Sequence, residues 1–212
     1  MRRDPSAPAG AVHRRTIDSK LLKKETLGDP TERLIDIYIP AGHDGRGLPL
    51  LVDIVGFTAG GPAHTNWKNF GENLPERLDR LIASGAMPPC VVAFPDCFTK
   101  LGGNQYINSD GTGRWADFLM EEAVPSVEKE FGCGGKSKRG IFGKSSGGYG
   151  AMVHALLYPD FWSAAAVHSG DMGFDLMYRH EFPVVLRALA AVGGNPKPWL
   201  EKFYAAQKTK DS

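Results

Sequence analysis

The sequence predicts an α/β fold in which a mostly parallel β-sheet is covered by helices on both faces. Segments with strand patterns alternate with segments of helical periodicity along most of the chain, which is the order that repeated β-α-β units produce. Residues 48–57 form a nearly continuous apolar run, as in a strand that is buried on both faces of a parallel sheet. A chain of 212 residues, 42% of them apolar, is also long enough to bury one sizeable core.

The individual elements follow from local patterns. Residues 32–40 alternate isoleucines with polar or aromatic residues, which is the period of two of a half-buried strand. The helical pattern of residues 66–84 contains Pro75, which should end or kink the helix. Further strands are predicted at 88–95, 138–143 and 161–170, and further helices at 115–131 with an interruption near Pro125, at 146–158, and from Met172 to the end with a break at 193–196.

The composition excludes several classes of protein. The net charge of +1 indicates no nucleic-acid or membrane-surface partner, and no apolar run is long enough to span a bilayer. The arginine-containing N-terminus lacks the apolar core of a signal peptide, so we predict a disordered leader over residues 1–16, one domain over 17–212 and a cytoplasmic protein. Three cysteines without a CxxC pair and six histidines without a ligand spacing predict no disulfide framework, no metal site and no cofactor.

The glycine-rich segment GKSSGGYG, residues 143–150, lies between a predicted strand and a predicted helix. Two kinds of site use glycine at such a turn: one binds a phosphate, and the other holds a nucleophilic serine. A phosphate-binding loop that ends in GKS needs a glycine five residues before its last glycine. In the two GKS matches of this chain those positions hold Lys138 and Glu130, which excludes the phosphate loop.

The same segment fits the pattern GxSxG, with Ser145 between Gly143 and Gly147. A nucleophilic serine on a sharp strand-to-helix turn needs glycine two residues before and after it, because larger side chains would collide with the neighbouring strand and helix. The N–H group of Ser146 would then lie at a helix N-terminus, where it favours a developing oxyanion. We therefore predict that Ser145 is a nucleophile. The alternative is a glycine-rich turn that only reverses the chain.

A second oxyanion donor is expected in the loop after the buried strand of residues 48–57. The segment VGFTAGG starts near the end of that strand, and Gly56 lets the chain turn away from the sheet. The amide of Phe57, or that of Thr58, is therefore the predicted second donor.

Three segments resemble an esterase family of α/β-hydrolases that includes enterochelin esterases, esterase D-like thioesterases, feruloyl esterases and mycolyltransferases. They are VAFPDCFTKLGGNQYINS, FLMEEAVPSVEKEF and RGIFGKSSGGYGAMVHALLYPDFWSAAAVHSGD. The similarity covers roughly residues 30–175 in the same order and spacing. It implies an α/β-hydrolase fold, a three-layer sandwich with a mostly parallel sheet whose last strands lie beyond residue 212.

The resemblance also implies roles for particular residues. Ser145 would be the nucleophile, and the amides of Phe57 and Ser146 would be the oxyanion donors. The loop that carries Gly102, Gly103, Gln105 and Tyr106, together with Thr58, would border the substrate. Many relatives have His-Gly at the oxyanion loop where this chain has Val55-Gly56, but an amide donor does not depend on that side chain.

A serine nucleophile needs a histidine base and an acid that orients the histidine, and in this fold both follow the serine, the acid first. His154 should lie on the helix that begins after Ser145 and point along that helix. Asp171 with His180 satisfies the required order, as does Asp175 with His180, although separations of nine and five residues leave no room for a strand or helix between acid and base.

The interpretation that the sequence favours is that the base and the last strands lie beyond residue 212. The chain would then be a C-terminally incomplete esterase domain, or a non-catalytic module of the same fold. From the sequence we expect a serine esterase that hydrolyses small-molecule carboxylic or thio-esters through an acyl-enzyme at Ser145, without a cofactor.

Overall fold

A computed structural model of the chain describes residues 8–23 and 27–208. The contacts divide the chain into two compact units, Met1–Gly170 and Asp171–Ser212. The single domain predicted over residues 17–212 therefore consists of a sheet-containing unit and a smaller helical one.

The first unit is built on a six-stranded sheet. Its strands are β1 (Ala11–Asp18), β2 (Glu32–Ile39), β3 (Leu50–Ile54), β4 (Val91–Pro95), β7 (Arg139–Lys144) and β8 (Ala164–His168), and a small hairpin pairs β5 (Asn108–Ser109) with β6 (Gly113–Arg114). The order across the large sheet is β1-β2-β4-β3-β7-β8. The β1–β2 and β2–β4 pairs are antiparallel, whereas β4, β3, β7 and β8 run parallel.

The helices of the first unit cover both faces of this sheet. They are α1 (Leu74–Ala83), α2 (Trp115–Asp117), α3 (Val124–Phe131) and α4 (Ser146–Leu157), with a 3₁₀ turn at Gly61–His64 and a π-helical turn at Phe118–Ala123 between α2 and α3. On one face Val52 and Ile141 of the sheet belong to one cluster with Val127 and Ala151 of the helices. On the other face Phe94 and Val92 pack with Leu78 of α1. The predicted α/β architecture is confirmed.

In the second unit, residues 171–208 form the helices α5 (Phe174–Met177), α6 (Phe182–Ala190) and α7 (Pro196–Lys208). The predicted break at residues 193–196 falls between α6 and α7, where Gly193 and Gly194 have positive φ angles. In the part of the chain that the structure describes, none of the helices combines the length and the apolar character needed to cross a bilayer.

The N-terminal prediction is wrong for residues 11–16, which lie in β1 and not in a disordered leader; residues 1–7 lie outside the described residues. β1 is an edge strand, and most of its side chains are exposed, so its sequence lacks the apolar alternation of a half-buried strand. It is held by eight antiparallel pairings with β2. Across this pair Arg14 donates to both carboxylate oxygens of the buried Asp36, at 2.7 and 2.9 Å.

The helix predicted over residues 66–84 begins later, at Leu74. Pro75 lies in its first turn, where a missing N–H group costs no hydrogen bond, so this proline begins the helix and does not end or kink it. The start is fixed by a capping box, in which the Glu76 N–H donates to the Asn73 side chain at 2.9 Å and the Asn73 N–H donates to the Glu76 carboxylate at 3.0 Å. The predicted interruption near Pro125 corresponds to the π-helical turn that precedes it.

Candidate active site

Ser145 forms the sharp turn between β7 and α4. β7 ends at Lys144, and α4 begins at Ser146. Ser145 itself has φ +58° and ψ −124°, a combination that costs a non-glycine residue about 1–3 kcal/mol and persists only where the surroundings impose it. Its N–H donates to the His168 carbonyl at 3.0 Å, and its carbonyl accepts from the Tyr149 N–H at 3.0 Å.

The glycines around Ser145 allow α4 to begin directly against the sheet. A Cβ atom on Gly147 would overlap the carbonyl oxygen of Ile54 and lie 2.8 Å from that of Val55. A Cβ atom on Gly143 would lie 2.5 Å from the backbone of Gly147, and one on Gly148 would lie 2.7 Å from the His168 carbonyl oxygen. Cβ atoms in proteins do not approach other atoms this closely, so only glycine fits at these three positions.

The loop Val55–Ala59, here called the donor loop, follows β3 and touches the Ser145 turn. A Cβ atom on Gly56 would lie 3.6 Å from the Cβ of Ser145. The loop is closed by a turn in which the Ala59 N–H donates to the Gly56 carbonyl at 3.1 Å. Within the described residues, the N–H groups of Phe57 and Thr58 donate no hydrogen bond, and both residues are exposed.

Ser146 is fully buried at the first position of α4. Its N–H has no partner inside the helix, because the first N–H groups of any helix lack a carbonyl four residues earlier. The helix dipole adds partial positive charge at this end. The buried side-chain hydroxyl of Ser146 also makes no hydrogen bond with any described residue.

The predicted substrate loop lies beside the donor loop and α4. Tyr106 is only 2% exposed and has φ +60°, and its hydroxyl donates to the Val55 carbonyl at 2.8 Å. Burial raises the pKa of the Tyr106 hydroxyl well above its usual value. Gln105 is half-buried, and its carbonyl oxygen faces Gly150 of α4. Tyr106 thus supports the donor loop from inside, and substrate contacts by Thr58, Gln105 and Tyr106 stay a prediction.

His154 is the histidine nearest to Ser145 in the sequence, and it lies in the core. It is fully buried on α4. Its Nδ1 accepts from the Trp162 indole N–H at 2.9 Å, and its Nε2 donates to the Tyr106 carbonyl at 2.8 Å. Burial lowers the pKa of the imidazole below its usual value, partly offset by the bond to the Tyr106 carbonyl. With both ring nitrogens engaged, His154 stabilises the fold and is not placed to act as a base.

Asp171, Asp175 and His180 lie in the second unit. Asp171 is its first residue, and Asp175 lies in the first turn of α5. The His180 side chain is 69% exposed, and its Nε2 lies 3.1 Å from a carboxylate oxygen of Glu181. The assignment of acid and base to Asp171 and His180 stays a prediction.

One pair of ionisable side chains was missed from the sequence. Asp53 of β3 is buried, and its carboxylate contacts Nδ1 of the half-exposed His64 at the end of the 3₁₀ turn. Burial raises the pKa of the Asp53 carboxyl, while His64 opposes that shift. The signal that could have revealed it is the acid inside the apolar run LLVDIV, since a buried carboxylate needs a partner.

A comparison with protein families gives a match that covers most of the chain. The model of the family described as "Putative esterase" matches residues 28–211. The chain belongs to this esterase family. A search of curated proteins returned no match.

Solved structures show the same fold. One is a ferulic acid esterase, with 23% identity, a TM-score of 0.64, and coverage of 77% of this chain and 60% of the other. A second is the S-formylglutathione hydrolase of Agrobacterium tumefaciens, at 21% identity and TM-score 0.55, covering 78% and 60%. A third is the fluorophosphonate-binding serine hydrolase F of Staphylococcus aureus, at 17% identity and TM-score 0.61, covering 80% and 61%. The chain spans about three fifths of the length of these structures.

At these identities the likeness establishes the α/β-hydrolase fold for this member of the esterase family. Within the described residues, no group of three or more histidine, cysteine, aspartate or glutamate side chains could hold a metal ion.

Proposed function

We propose that this chain is a serine esterase in which Ser145 attacks the carbonyl carbon of a carboxylic or thio-ester. The observation that carries the proposal is the Ser145 turn. A non-glycine residue is held at φ +58° between a parallel strand and a helix. The donor loop packs so closely against it that a Cβ atom added to Gly56 would lie 3.6 Å from the Ser145 Cβ. A turn that only reversed the chain would not need a strained serine in such tight surroundings.

The reaction follows from the groups around Ser145. The Ser145 oxygen forms a bond to the carbonyl carbon, its proton passes to a base, and the carbonyl oxygen becomes an oxyanion that accepts hydrogen bonds from the N–H groups of Phe57 and Ser146. The tetrahedral intermediate expels the alcohol or thiol, which takes the proton from the base, and leaves an acyl-enzyme. The same base then takes a proton from water, whose oxygen attacks the acyl carbonyl carbon. The bond to the Ser145 oxygen breaks, the carboxylic acid is released, and the base returns the proton to Ser145.

The substrate class that we propose follows from the names of the similar structures. The solved structures of the same fold include a ferulic acid esterase and a hydrolase named for the thioester S-formylglutathione. We therefore propose small-molecule carboxylic or thio-esters as substrates, bordered by Thr58, Gln105 and Tyr106.

The three cysteines are free and buried, which accords with the reducing cytoplasm that we propose as the compartment.

The base that we propose within this chain is His180, oriented by Asp171. The alternative function is a non-catalytic module of the same fold, or one whose base lies outside these residues. The short spacing favours this alternative, because the nine-residue separation of Asp171 and His180 leaves no room for the strand or helix that normally separates the acid from the base. His180→Gln separates the two: loss of Ser145 reactivity supports His180 as the base, and unchanged reactivity supports the alternative.

A fluorophosphonate probe tests the nucleophile directly, because it reacts only with an activated serine. We expect labelling of the wild-type chain and none in Ser145→Ala. Ser163→Ala is a matched control, since Ser163 is exposed in the same unit, and it should be labelled like the wild type. Absence of labelling in the folded wild-type protein, or labelling that persists in Ser145→Ala, would contradict the proposed function.

A further inference from the structure

The donor loop is held by a second loop, and this contact is the starting point of the inference. The Gly103 N–H donates to the Phe57 carbonyl oxygen at 2.6 Å. Because Ala59 already binds the Gly56 carbonyl, the peptides on both sides of Phe57 have their carbonyl groups engaged. In a trans peptide the N–H points opposite to the C=O, so these two bonds set the directions of the N–H groups of Phe57 and Thr58.

Glycine at positions 102 and 103 is required by this contact. A Cβ atom on Gly103 would lie 2.5–2.8 Å from the carbonyl oxygen, Cα and carbonyl carbon of Phe57. A Cβ atom on Gly102 would lie 2.8 Å from the Phe57 ring, and Gly102 has φ +114°, which non-glycine residues rarely adopt. The two glycines therefore lie flat against residue 57, one at its backbone and one at its ring.

The loop that carries the two glycines is itself anchored by buried side chains. Thr99 and Gly102 exchange backbone hydrogen bonds of 2.6 and 3.0 Å. The Asn104 amide donates to the Cys97 carbonyl and accepts from the Tyr106 N–H, both at 2.5 Å. This loop therefore binds the donor loop on both sides of Gly56: the Tyr106 hydroxyl donates to the Val55 carbonyl, and the Gly103 N–H donates to the Phe57 carbonyl.

We propose that Gly103, with Gly102 and Tyr106, forms a positioning clamp that fixes the donor loop for the oxyanion. The bond from Gly103 to the Phe57 carbonyl orients the Thr58 N–H, and the packing of Gly103 against the Phe57 Cα holds the Phe57 N–H in place. This proposal rests on the proposed function, because it assigns a purpose to the geometry of the donor loop. In the clamp, Gly102 and Gly103 act through Phe57, and the Tyr106 hydroxyl acts through Val55. Preorganised donors contribute to catalysis because they need no reorientation as charge develops, and the clamp supplies that preorganisation.

The decisive variant is Gly103→Ala, assayed for p-nitrophenyl acetate hydrolysis and for the rate of fluorophosphonate labelling. The new methyl group must push Phe57 away, so we expect the labelling rate and kcat to fall about 100-fold, the loss known for one oxyanion donor, while KM changes less than about threefold. Gly111→Ala is the matched control. Gly111 lies on the same long connection with its nearest neighbour, the Ser109 hydroxyl, at 3.6 Å, and it should keep the wild-type values.

Tyr106→Phe keeps the proposal falsifiable should Gly103→Ala fail to fold. It removes only the hydroxyl that holds Val55, and we expect about a 10-fold fall in kcat and labelling rate with KM retained. A fall in kcat and in labelling rate with KM retained, in either folded variant, supports the clamp. Wild-type values in folded Gly103→Ala, or in Tyr106→Phe when Gly103→Ala does not fold, overturn the clamp and leave the proposed function standing. Failure of the wild-type protein to label overturns both.

Discussion

The Ser145 turn and the second unit differ in what holds their residues. Around Ser145 the positions are set by backbone contacts: glycines at 143, 147 and 148 face carbonyl groups that leave no room for a side chain. In the second unit most side chains are exposed, including the apolar Phe182 and Leu186 of α6. A role fixed by backbone sterics can be recognised from a short sequence motif, whereas a role that needs a partner from elsewhere in the fold cannot.

Two histidines repeat this contrast. His154 is buried with both ring nitrogens bonded at 2.8 and 2.9 Å, and the His180 side chain is 69% exposed and contacts its neighbour Glu181. The sequence predicted that His154 lies on a helix, but the bonds to Tyr106 and Trp162 come from segments 48 and 8 residues away. Only the fold shows that one of these histidines is a structural residue.

The largest effect is expected from Gly147→Ala compared with Gly173→Ala. The first substitution puts a methyl group against the Ile54 carbonyl, whereas at Gly173 the nearest atoms, of Leu176, lie 3.8 Å away. We expect Gly147→Ala to lower the free energy of unfolding by about 4 kcal/mol or to prevent folding, and Gly173→Ala to change it by less than about 0.5 kcal/mol. Urea unfolding followed by circular dichroism measures both, and equal effects would remove the contrast.

The next effect concerns the two histidines. His154→Ala leaves the Trp162 indole N–H and the Tyr106 carbonyl without partners and opens a cavity, so we expect a loss of about 3 kcal/mol. His180→Ala removes an exposed contact with Glu181, and such surface contacts contribute about 0.5 kcal/mol or less. Thermal and urea unfolding of both variants against the wild type give the comparison. A tolerated His154→Ala would show that its two hydrogen bonds do not hold α4 in place.

A pH dependence of stability follows from the lowered pKa of His154. The unfolded chain binds a proton at this histidine near its ordinary pKa of about 6.5, while the folded chain binds it only at lower pH. Stability contributed by neutral His154 is therefore complete above pH of about 6.5 and is lost as pH falls, by up to about 1.4 kcal/mol per pH unit. The check is the change in urea midpoint between pH 7 and pH 5 in wild type and His154→Gln; parallel changes would exclude His154 as the cause.

The smallest effect is expected at Ser146. Its hydroxyl is buried without a partner among the described residues, so the side chain bears a desolvation cost with no hydrogen bond in return. Ser146→Ala keeps the backbone N–H and removes that cost, and we expect the free energy of unfolding to rise by up to about 1 kcal/mol. Ser163→Ala, at an exposed position, should leave it unchanged. Destabilisation by Ser146→Ala would instead reveal a water or other partner for the hydroxyl.

Much of the fold could be predicted from the sequence because the apolar patterns of β2, β3, β4 and β7 are strong. Two errors have clear physical causes. β1 is stabilised by its pairing with β2 and by the Arg14–Asp36 ion pair. Neither can be predicted from the polar sequence of β1 alone. The sequence pattern predicts that Pro75 breaks the helix, but its position after the Asn73 cap makes it a helix-starting residue.

The site could be predicted only where the motif itself carries the geometry. Gly143, Ser145 and Gly147 specify a strand–turn–helix junction through local sterics, and the structure places them in one. The burial of Tyr106 depends on its hydroxyl bond to Val55, 51 residues away, and the Asp53–His64 pair depends on a 3₁₀ turn folding back on β3. Such contacts depend on the whole fold, so no short motif predicts them.

The anchored loop between β4 and the small hairpin has a consequence for protein engineering. Its tip carries Phe98 and Leu101, each 41% exposed, while Asn104 and Tyr106 hold its base inside the protein. Residues at the tip can be randomised in a library with little risk to folding, whereas the base must be kept constant. Positions 98 and 101 are therefore suitable points for diversification on an unchanged scaffold.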